Sequence, residues 1–252
     1  AKPSEYSAAT SALLRRMAQE LFAPEYVTVV EGGRAENAGL LEETFDFIFF
    51  TGSPHVGRLV MEKASAHLTP VSLELGGKSP CIVDETAELP LAAKRIVFGK
   101  YLNAGQTCVA PDYVYVHASV KDAFLEEVKK QICAQYGPAP LKDASYGRIV
   151  SRKHFDRVSS LIETEKVIYG GGRDETTLKI EPTVLDGVTW ADKAMQEEIF
   201  GPVMPVLTFE SLETVIGEVN SRPSPLALYI FSSDKKAADF VMNKCRFGGG
   251  CI

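Results

Sequence analysis

Apolar residues recur along this chain with two alternating periods. Leu13, Leu14, Met17 and Leu21 fall three and four apart after Pro3-Ser4, the spacing of an amphipathic helix with a capped start. Pro24 ends that helix, and Val27–Val30 is short and β-branched, which predicts a strand. Gly32-Gly33 turn the chain into a brief helix over 35–41, and the run Phe45–Phe50 predicts a buried strand. In Thr51-Gly52-Ser53-Pro54 that follows, Ser53 suits an N-cap and Pro54 the first position of a helix reaching about Leu68. Val71–Leu75 is the next strand.

Beyond Gly76-Gly77 the alternation continues. Pro80–Val83 predicts a strand. Leu89–Leu102 predicts a helix with Leu91, Ile96 and Val97 inside and Lys94, Arg95 and Lys100 outside. Tyr113–Val116 is a strand, Val120–Gln135 a helix, Gly137–Lys142 a loop and Ser151–Thr164 a helix. Gly170–Thr177 is a surface excursion, Glu181–Leu185 an extended core segment, Leu226–Phe231 a buried strand and Lys235–Cys245 a helix. Phe247–Ile252 is strand-like. Alternating strands and helices predict an α/β fold, with a mostly parallel sheet and helices on both faces. Ligands are expected beyond the carboxyl ends of such strands, with phosphates at a helix N-terminus. The opening Ala1-Lys2-Pro3 falls where a loop after a strand belongs. Either the sheet is small and partly open, or residues ahead of position 1 belong to it.

Composition narrows the function classes. The 252 residues are 45% hydrophobic, enough for real cores, and the net charge is −6. With no basic run of five or more, nothing points to nucleic acid or an anionic membrane. No apolar run approaches the ~20 residues of a membrane helix, and no signal peptide is visible. Five cysteines, Cys81, Cys108, Cys133, Cys245 and Cys251, make an odd count without a C-x-x-C pair. That argues against a disulfide framework or a zinc site and for a reducing, cytoplasmic setting. The four scattered histidines give no metal-ligand spacing.

Chemistry concentrates in two places. Val71-Ser72-Leu73-Glu74-Leu75-Gly76-Gly77-Lys78 puts a carboxylate at the end of an apolar run, and Asn103-Ala104-Gly105-Gln106-Thr107-Cys108 puts a thiol after a glycine-containing turn. A thiol forms covalent adducts with carbonyl carbons, and a carboxylate activates the water that releases them. From the residues alone, Cys108 is a nucleophile or an inert thiol, and Glu74 a partly buried base or a helix-capping acid. The Gly52-Ser53 corner is a pyrophosphate site or a plain turn, and it lacks the G-x-G-x-x-G fingerprint. Glu197-Glu198-Ile199-Phe200-Gly201-Pro202 is a solvated turn or helix start, or a carboxylate and a ring lining a site.

Taken in order, Phe50-Thr51-Gly52-Ser53, Leu73-Glu74-Leu75-Gly76-Gly77-Lys78, Gly105-Gln106-Thr107-Cys108 and Glu197-Glu198-Ile199-Phe200-Gly201-Pro202 resemble the NAD(P)-dependent aldehyde dehydrogenase superfamily. Tyr101–Tyr113 resembles its class 3 branch of fatty and aromatic aldehyde dehydrogenases. The resemblance covers essentially the whole chain. It implies a partial Rossmann-like cofactor domain over 1–76 and an α/β catalytic domain over 77–252. By the resemblance, Cys108 is the nucleophile and Glu74 the general base. Lys2 and Glu5 contact the adenosine ribose of NAD or NADP. Gly52, Ser53 and Leu75 line the cofactor path, Glu198 takes the nicotinamide ribose, and Phe200 packs near the nicotinamide. Asn103, Gly105 and Gln106 shape the nucleophile loop. The implied reaction oxidises a small-molecule aldehyde to an acid through a thiohemiacetal and a thioester, in a homodimeric parent. The family's oxyanion asparagine belongs to a Trp-Asn motif ahead of Lys-Pro-Ser-Glu, whereas the one tryptophan here is Trp190. The chain therefore reads as a central fragment, truncated at its C-terminus. The rival readings are a catalytically silent scaffold and a cofactor-independent thiol esterase.

Overall fold

Ser4 opens the first helical segment: its Oγ accepts the Tyr6 N–H at 3.2 Å. A 3-10 turn over Glu5–Ser7 leads into α1 (Ala8–Leu21). Residues 27–30 form no strand. Its strand-like pairing is a single rung with the chain start, Val30 N–H donating to Ala1 O at 2.9 Å and the Ala1 ammonium to Thr28 O at 2.5 Å. One rung is not a ladder. After α2 (Arg34–Leu41), the strand expected at 45–50 is displaced to β1 (Ile48–Gly52). The Phe45 carbonyl is taken by Thr69 Oγ1 at 2.9 Å, and pairing begins only at Ile48 against Val71. Ser53 caps α3 (Pro54–Ser65), accepting the Val56 N–H at 3.4 Å. That helix stops short of Leu68, whose φ of 54° lies in the left-handed region. Strand β2 (Val71–Leu75) runs parallel to β1.

The computed structural model describes residues 1–252, and these segments form the first of two compact units, Ala1–Leu75 and Gly76–Ile252. The second contains β3 (Pro80–Val83), α4 (Leu89–Tyr101), β4 (Tyr113–His117), α5 (Lys121–Tyr136) and α6 (Arg152–Ser160). There follow β5 (Val167–Tyr169), the hairpin β6 (Arg173–Asp174) and β7 (Lys179–Ile180), β8 (Thr183–Leu185) and β9 (Val203–Phe209). The unit ends with α7 (Leu212–Asn220), β10 (Ala227–Phe231), α8 (Lys235–Lys244) and β11 (Gly249–Cys251). Seven strands form one sheet in the order β11-β10-β3-β4-β9-β8-β5, parallel throughout except where β5 meets β8. The fold is thus α/β with a mostly parallel central sheet.

The central strands of that sheet are buried on both faces, so they read as continuous apolar runs. Cys81, Val83, Val114 and Val116 face a core closed by Ala92 and Ile96 of α4 and by Phe124 and Val128 of α5. Ile82, Tyr115 and Leu207 face the other, closed by Val158 of α6, Val215 of α7 and Val241 of α8. Helix α7, absent from the sequence reading, is capped by Ser211, which accepts the Thr214 N–H at 3.3 Å. No helix is long and apolar enough to cross a membrane.

Candidate active site

In the first unit the candidate residues gather where strands end. Thr51 pairs with Glu74 and Gly52 with Leu75, so all four sit at the carboxyl ends of the two parallel strands. The chain leaves β1 directly into the Ser53 cap, where the first N–H groups of α3 form a site suited to anions. Glu74 is exposed, and no helix starts behind it, so it is neither a buried group nor a helix-capping acid. The Glu5 carboxylate lies against Gly33, and the Lys2 charge reaches Glu36 of the same turn. Glu36, which the sequence did not single out, accepts the Gly33 N–H at 2.7 Å. Backbone N–H groups, its own and that of Gly33, hold its carboxyl below the usual range.

In the second unit the candidates sit at the opposite ends, ahead of the strands: Gly76–Ser79 before β3, Thr107–Asp112 before β4, and Glu197–Pro202 before β9. The expected carboxyl-end placement does not hold here. Such positions are reached by loops, and each loop is tied down. After α4 the backbone enters left-handed geometry at Asn103 and Ala104, both with φ 53°, a costly conformation for residues with a Cβ. Gln106 offsets that cost by bonding on both sides. Its Nε2 donates to Asn103 O at 3.0 Å and Arg148 O at 3.1 Å, and its Oε1 accepts the Val150 N–H at 2.9 Å. Asn103 Nδ2 returns a bond to Gln106 O at 3.1 Å. A Cβ on Gly105 would stand 2.2 Å from Gly201 O, so only glycine lets these loops meet. Tyr229 Oη donates to Val109 O at 2.5 Å, closing the far side. Cys108 is presented half-exposed in this clamped loop, whereas Cys81 and Cys245 are buried and Cys133 and Cys251 exposed.

The loop before β9 is neither a helix start nor a free turn. Ile199 N–H donates to Asp112 Oδ1 at 2.9 Å. Arg157 of α6 donates to Glu197 Oε1 at 2.9 Å, Glu198 O at 3.2 Å and Ile199 O at 2.6 Å. These bonds hold Phe200 at φ 47°, with the residue 40% exposed. Lys78 ties the three loops together: Nζ donates to the Asp112 carboxylate, to Ala194 O at 2.9 Å and to Glu197 O at 3.0 Å. The pair is well shielded, with side-chain exposures of 14% and 4%.

Glu198 is half-buried against Gly76, where a Cβ would stand 2.0 Å from Glu198 Oε2. Burial, then the Asp112 charge, push its carboxyl up to about 7, against a Gly77 N–H and the Lys100 and Lys78 charges that pull it down. Lys100, expected on the outside of its helix, is fully buried, and desolvation lowers it to about 8. The expectation fails because Lys100 stands one turn beyond Ile96, on the face of α4 that carries Ala93, Ile96 and Val97 into the core, and not with the exposed Lys94 and Arg95. Lys78, Asp112, Arg157 and Lys100 were all missed as site residues. A signal existed for two of them: Asp112 directly precedes β4 and Lys78 lies just ahead of β3, and those strands are neighbours in the sheet.

The aldehyde dehydrogenase family model matches residues 1–252, and the chain belongs to that family. A Staphylococcus aureus 4,4'-diaponeurosporen-aldehyde dehydrogenase is 48% identical over 253 residues, covering 100% of this chain and 55% of that protein. A rat relative named aldehyde dehydrogenase, dimeric NADP-preferring, is 45% identical over 248 residues, covering 98% of this chain and 55% of its own length. A Staphylococcus aureus protein solved as AldH in a substrate-bound state superposes with a TM-score of 0.96 at 47% identity, over 100% of this chain and 55% of that one. The chain spans about half the length of the curated relatives it matches.

Proposed function

We propose that the protein to which this chain belongs oxidises an aldehyde to its carboxylic acid, with Cys108 as nucleophile, Glu74 as general base and NAD+ or NADP+ as acceptor. The observation that carries this reading is the loop at Cys108. A half-exposed thiol sits on a backbone strained at Asn103 and Ala104 and stapled by Gln106, an arrangement that fixes a nucleophile rather than filling a core.

In the proposed sequence, Cys108 Sγ adds as thiolate to the aldehyde carbon, and the carbonyl oxygen becomes an oxyanion. The Cys108 N–H is the donor this chain offers it; such donors are each worth ~10²–10³-fold in rate. The nicotinamide, when bound, supplies the two-electron acceptor that turns the thiohemiacetal into a thioester. Glu74 then takes a proton from water, hydroxide adds to the thioester carbonyl, and the C–S bond breaks to return the thiolate and release the acid.

The residues present fit a dinucleotide. Glu198 accepts one backbone N–H and no side-chain donor, which leaves acceptor capacity for ribose hydroxyls. The N-terminus of α3, capped by Ser53 after Gly52, suits a pyrophosphate, and Leu75 closes the neighbouring strand. Phe200 offers a ring face to the nicotinamide. Lys2 and Glu5 are assigned to the adenosine ribose, where the Glu5 carboxylate favours a 2′-hydroxyl over a 2′-phosphate and so favours NAD+. The name of the rat relative points to the other cofactor and to a dimer, and Glu5→Gln is the variant expected to move the preference toward NADP+.

The test is reduced-nicotinamide formation by the full-length protein with medium-chain and aromatic aldehydes. Cys108→Ala is expected to abolish it. Glu74→Gln is expected to give a single stoichiometric burst and a thioester on Cys108 detectable by mass spectrometry. Undiminished turnover in Cys108→Ala would overturn the reading. Ester cleavage that needs Cys108 while aldehyde oxidation is absent would replace it with a thiol esterase.

A further inference from the structure

Cys108 and Val109 are the central residues of a β-turn, closed by the Ala110 N–H donating to Thr107 O at 3.0 Å. Upstream the chain is stapled by Gln106, and downstream the Asp112 N–H donates to Ser79 O at 2.8 Å. Between those fixed points Pro111 has no N–H to give. From Thr107 to Pro111 a single side chain bonds the backbone: the Tyr229 hydroxyl, which donates to Val109 O at 2.5 Å. Tyr229 belongs to β10, with Cys81 of β3 and Cys251 of β11 as its register partners. Its ring is half-buried and packs against the core shared with α4 and α5. The hydroxyl is therefore anchored in the central sheet, and the carbonyl it holds lies one residue past the thiol.

We propose that Tyr229 is a positioning residue for Cys108: its hydroxyl tethers the turn to β10, so that Sγ and the Cys108 N–H keep one bearing toward the carbon and oxygen of a substrate carbonyl. That Cys108 is the nucleophile rests on the proposed function; that Tyr229 fixes its turn does not. The titratable groups around the phenol are Cys81, Cys251 and Cys108, and burial first, then these thiols, raise its pKa. It thus remains a donor through neutral pH. Val109 is 43% exposed, so water can replace the hydroxyl and leave the carbonyl satisfied. Water restores the hydrogen bond but not the tether. Loss of the hydroxyl is therefore expected to cost little stability and much order at the thiol.

Tyr229→Phe in the full-length protein removes the hydroxyl and keeps the ring. Amide exchange at Cys108 and Ala110 is expected to quicken, with the urea midpoint little changed. The kcat/KM for an aromatic aldehyde is expected to fall roughly tenfold to a hundredfold, with NAD+ affinity unaltered. Both results together uphold the proposal. Faster exchange in a protein whose turnover survives Cys108→Ala upholds the tether and overturns the proposed function. Native exchange and native kcat/KM in Tyr229→Phe, with losses only in Tyr229→Leu, would assign Tyr229 to packing and overturn the proposal. If Tyr229→Phe does not fold, 3,5-difluorotyrosine at position 229 decides the matter, because fluorine acidifies the phenol with little change of shape. The pH profile of Cys108 alkylation is then expected to break where that phenol ionises, at lower pH than in the native protein. An unmoved profile would overturn the proposal.

Discussion

The two units set their candidate residues at opposite ends of parallel strands, and they support them by different means. In the first, Gly52, Ser53, Glu74 and Leu75 close β1 and β2 at the carboxyl ends, and the corner at Ser53 passes straight into a helix. In the second, Lys78, Cys108 and Glu198 precede β3, β4 and β9 and are carried on loops. A strand that runs into a helix brings oriented N–H groups with it, and one capping hydroxyl completes the corner. A loop arriving at the start of a strand brings no such order. It must be fixed by side chains, which is why Lys78, Gln106, Asp112 and Arg157 converge there and why the left-handed residues Asn103, Ala104 and Phe200 are tolerated.

This difference sets an order of expected losses. Asp112→Ala strands Lys78 in a shielded position and removes the acceptor of the Ile199 N–H. Breaking a buried pair in this way typically costs 3–5 kcal/mol, or about that here, read by urea denaturation of the full-length protein. A loss no greater than that of a helix cap would erase the distinction between the units. Gly105→Ala comes next: at φ 74°, with Gly201 O in the way, the strain is about 1–3 kcal/mol. Its sharper readout is the alkylation rate of Cys108, which should change while Cys133 and Cys251 react as before. Ser53→Ala should cost about 1 kcal/mol, and Ser53→Gly a few tenths, seen as faster amide exchange confined to the first turns of α3.

The second unit also carries a pH dependence on either side of neutrality. Glu198 is raised from 4.5 to about 7, so between those values the folded state binds more protons than the unfolded one. Its contribution to stability is complete below about 4.5 and is lost as pH rises through about 7. Lys100 has the opposite slope, because a base lowered from 10.5 to about 8 gains stability as pH climbs from about 8 toward 10.5. Glu198→Gln should flatten the first limb and leave the second in place, in melting curves collected across pH.

Much of this architecture was legible in the chain itself. Caps and periodicity located α3 at Ser53-Pro54, β2 at 71–75 and the strands and helices from Pro80 to Gln135 closely. What escaped had a physical reason. The segment at 27–30 has strand composition, but strandhood needs a partner, and composition does not supply one. Helix α7 carries Val215, Ile216 and Val219 at helical spacing behind the Ser211 cap, a signal that was present and unused. Lys100 was assigned outward because charge usually marks a solvated face. Its place one turn beyond Ile96 puts it on the stripe that faces the core, so position overrides charge there. For the site, the ordered motifs picked out Cys108 and Glu198. Arg157 was invisible because it acts largely through backbone carbonyls far along the chain.

The bond between Lys78 and Asp112 also bears on how this sequence can drift. Either residue changed alone leaves a shielded charge or a shielded N–H without its counterpart, whereas a matched apolar pair of similar volume is often neutral or better. The path between those two states passes through a damaged intermediate at every single step. A protein in that position holds its ion pair because neither neighbour in sequence space is habitable, whether or not the pair contributes anything to its stability today.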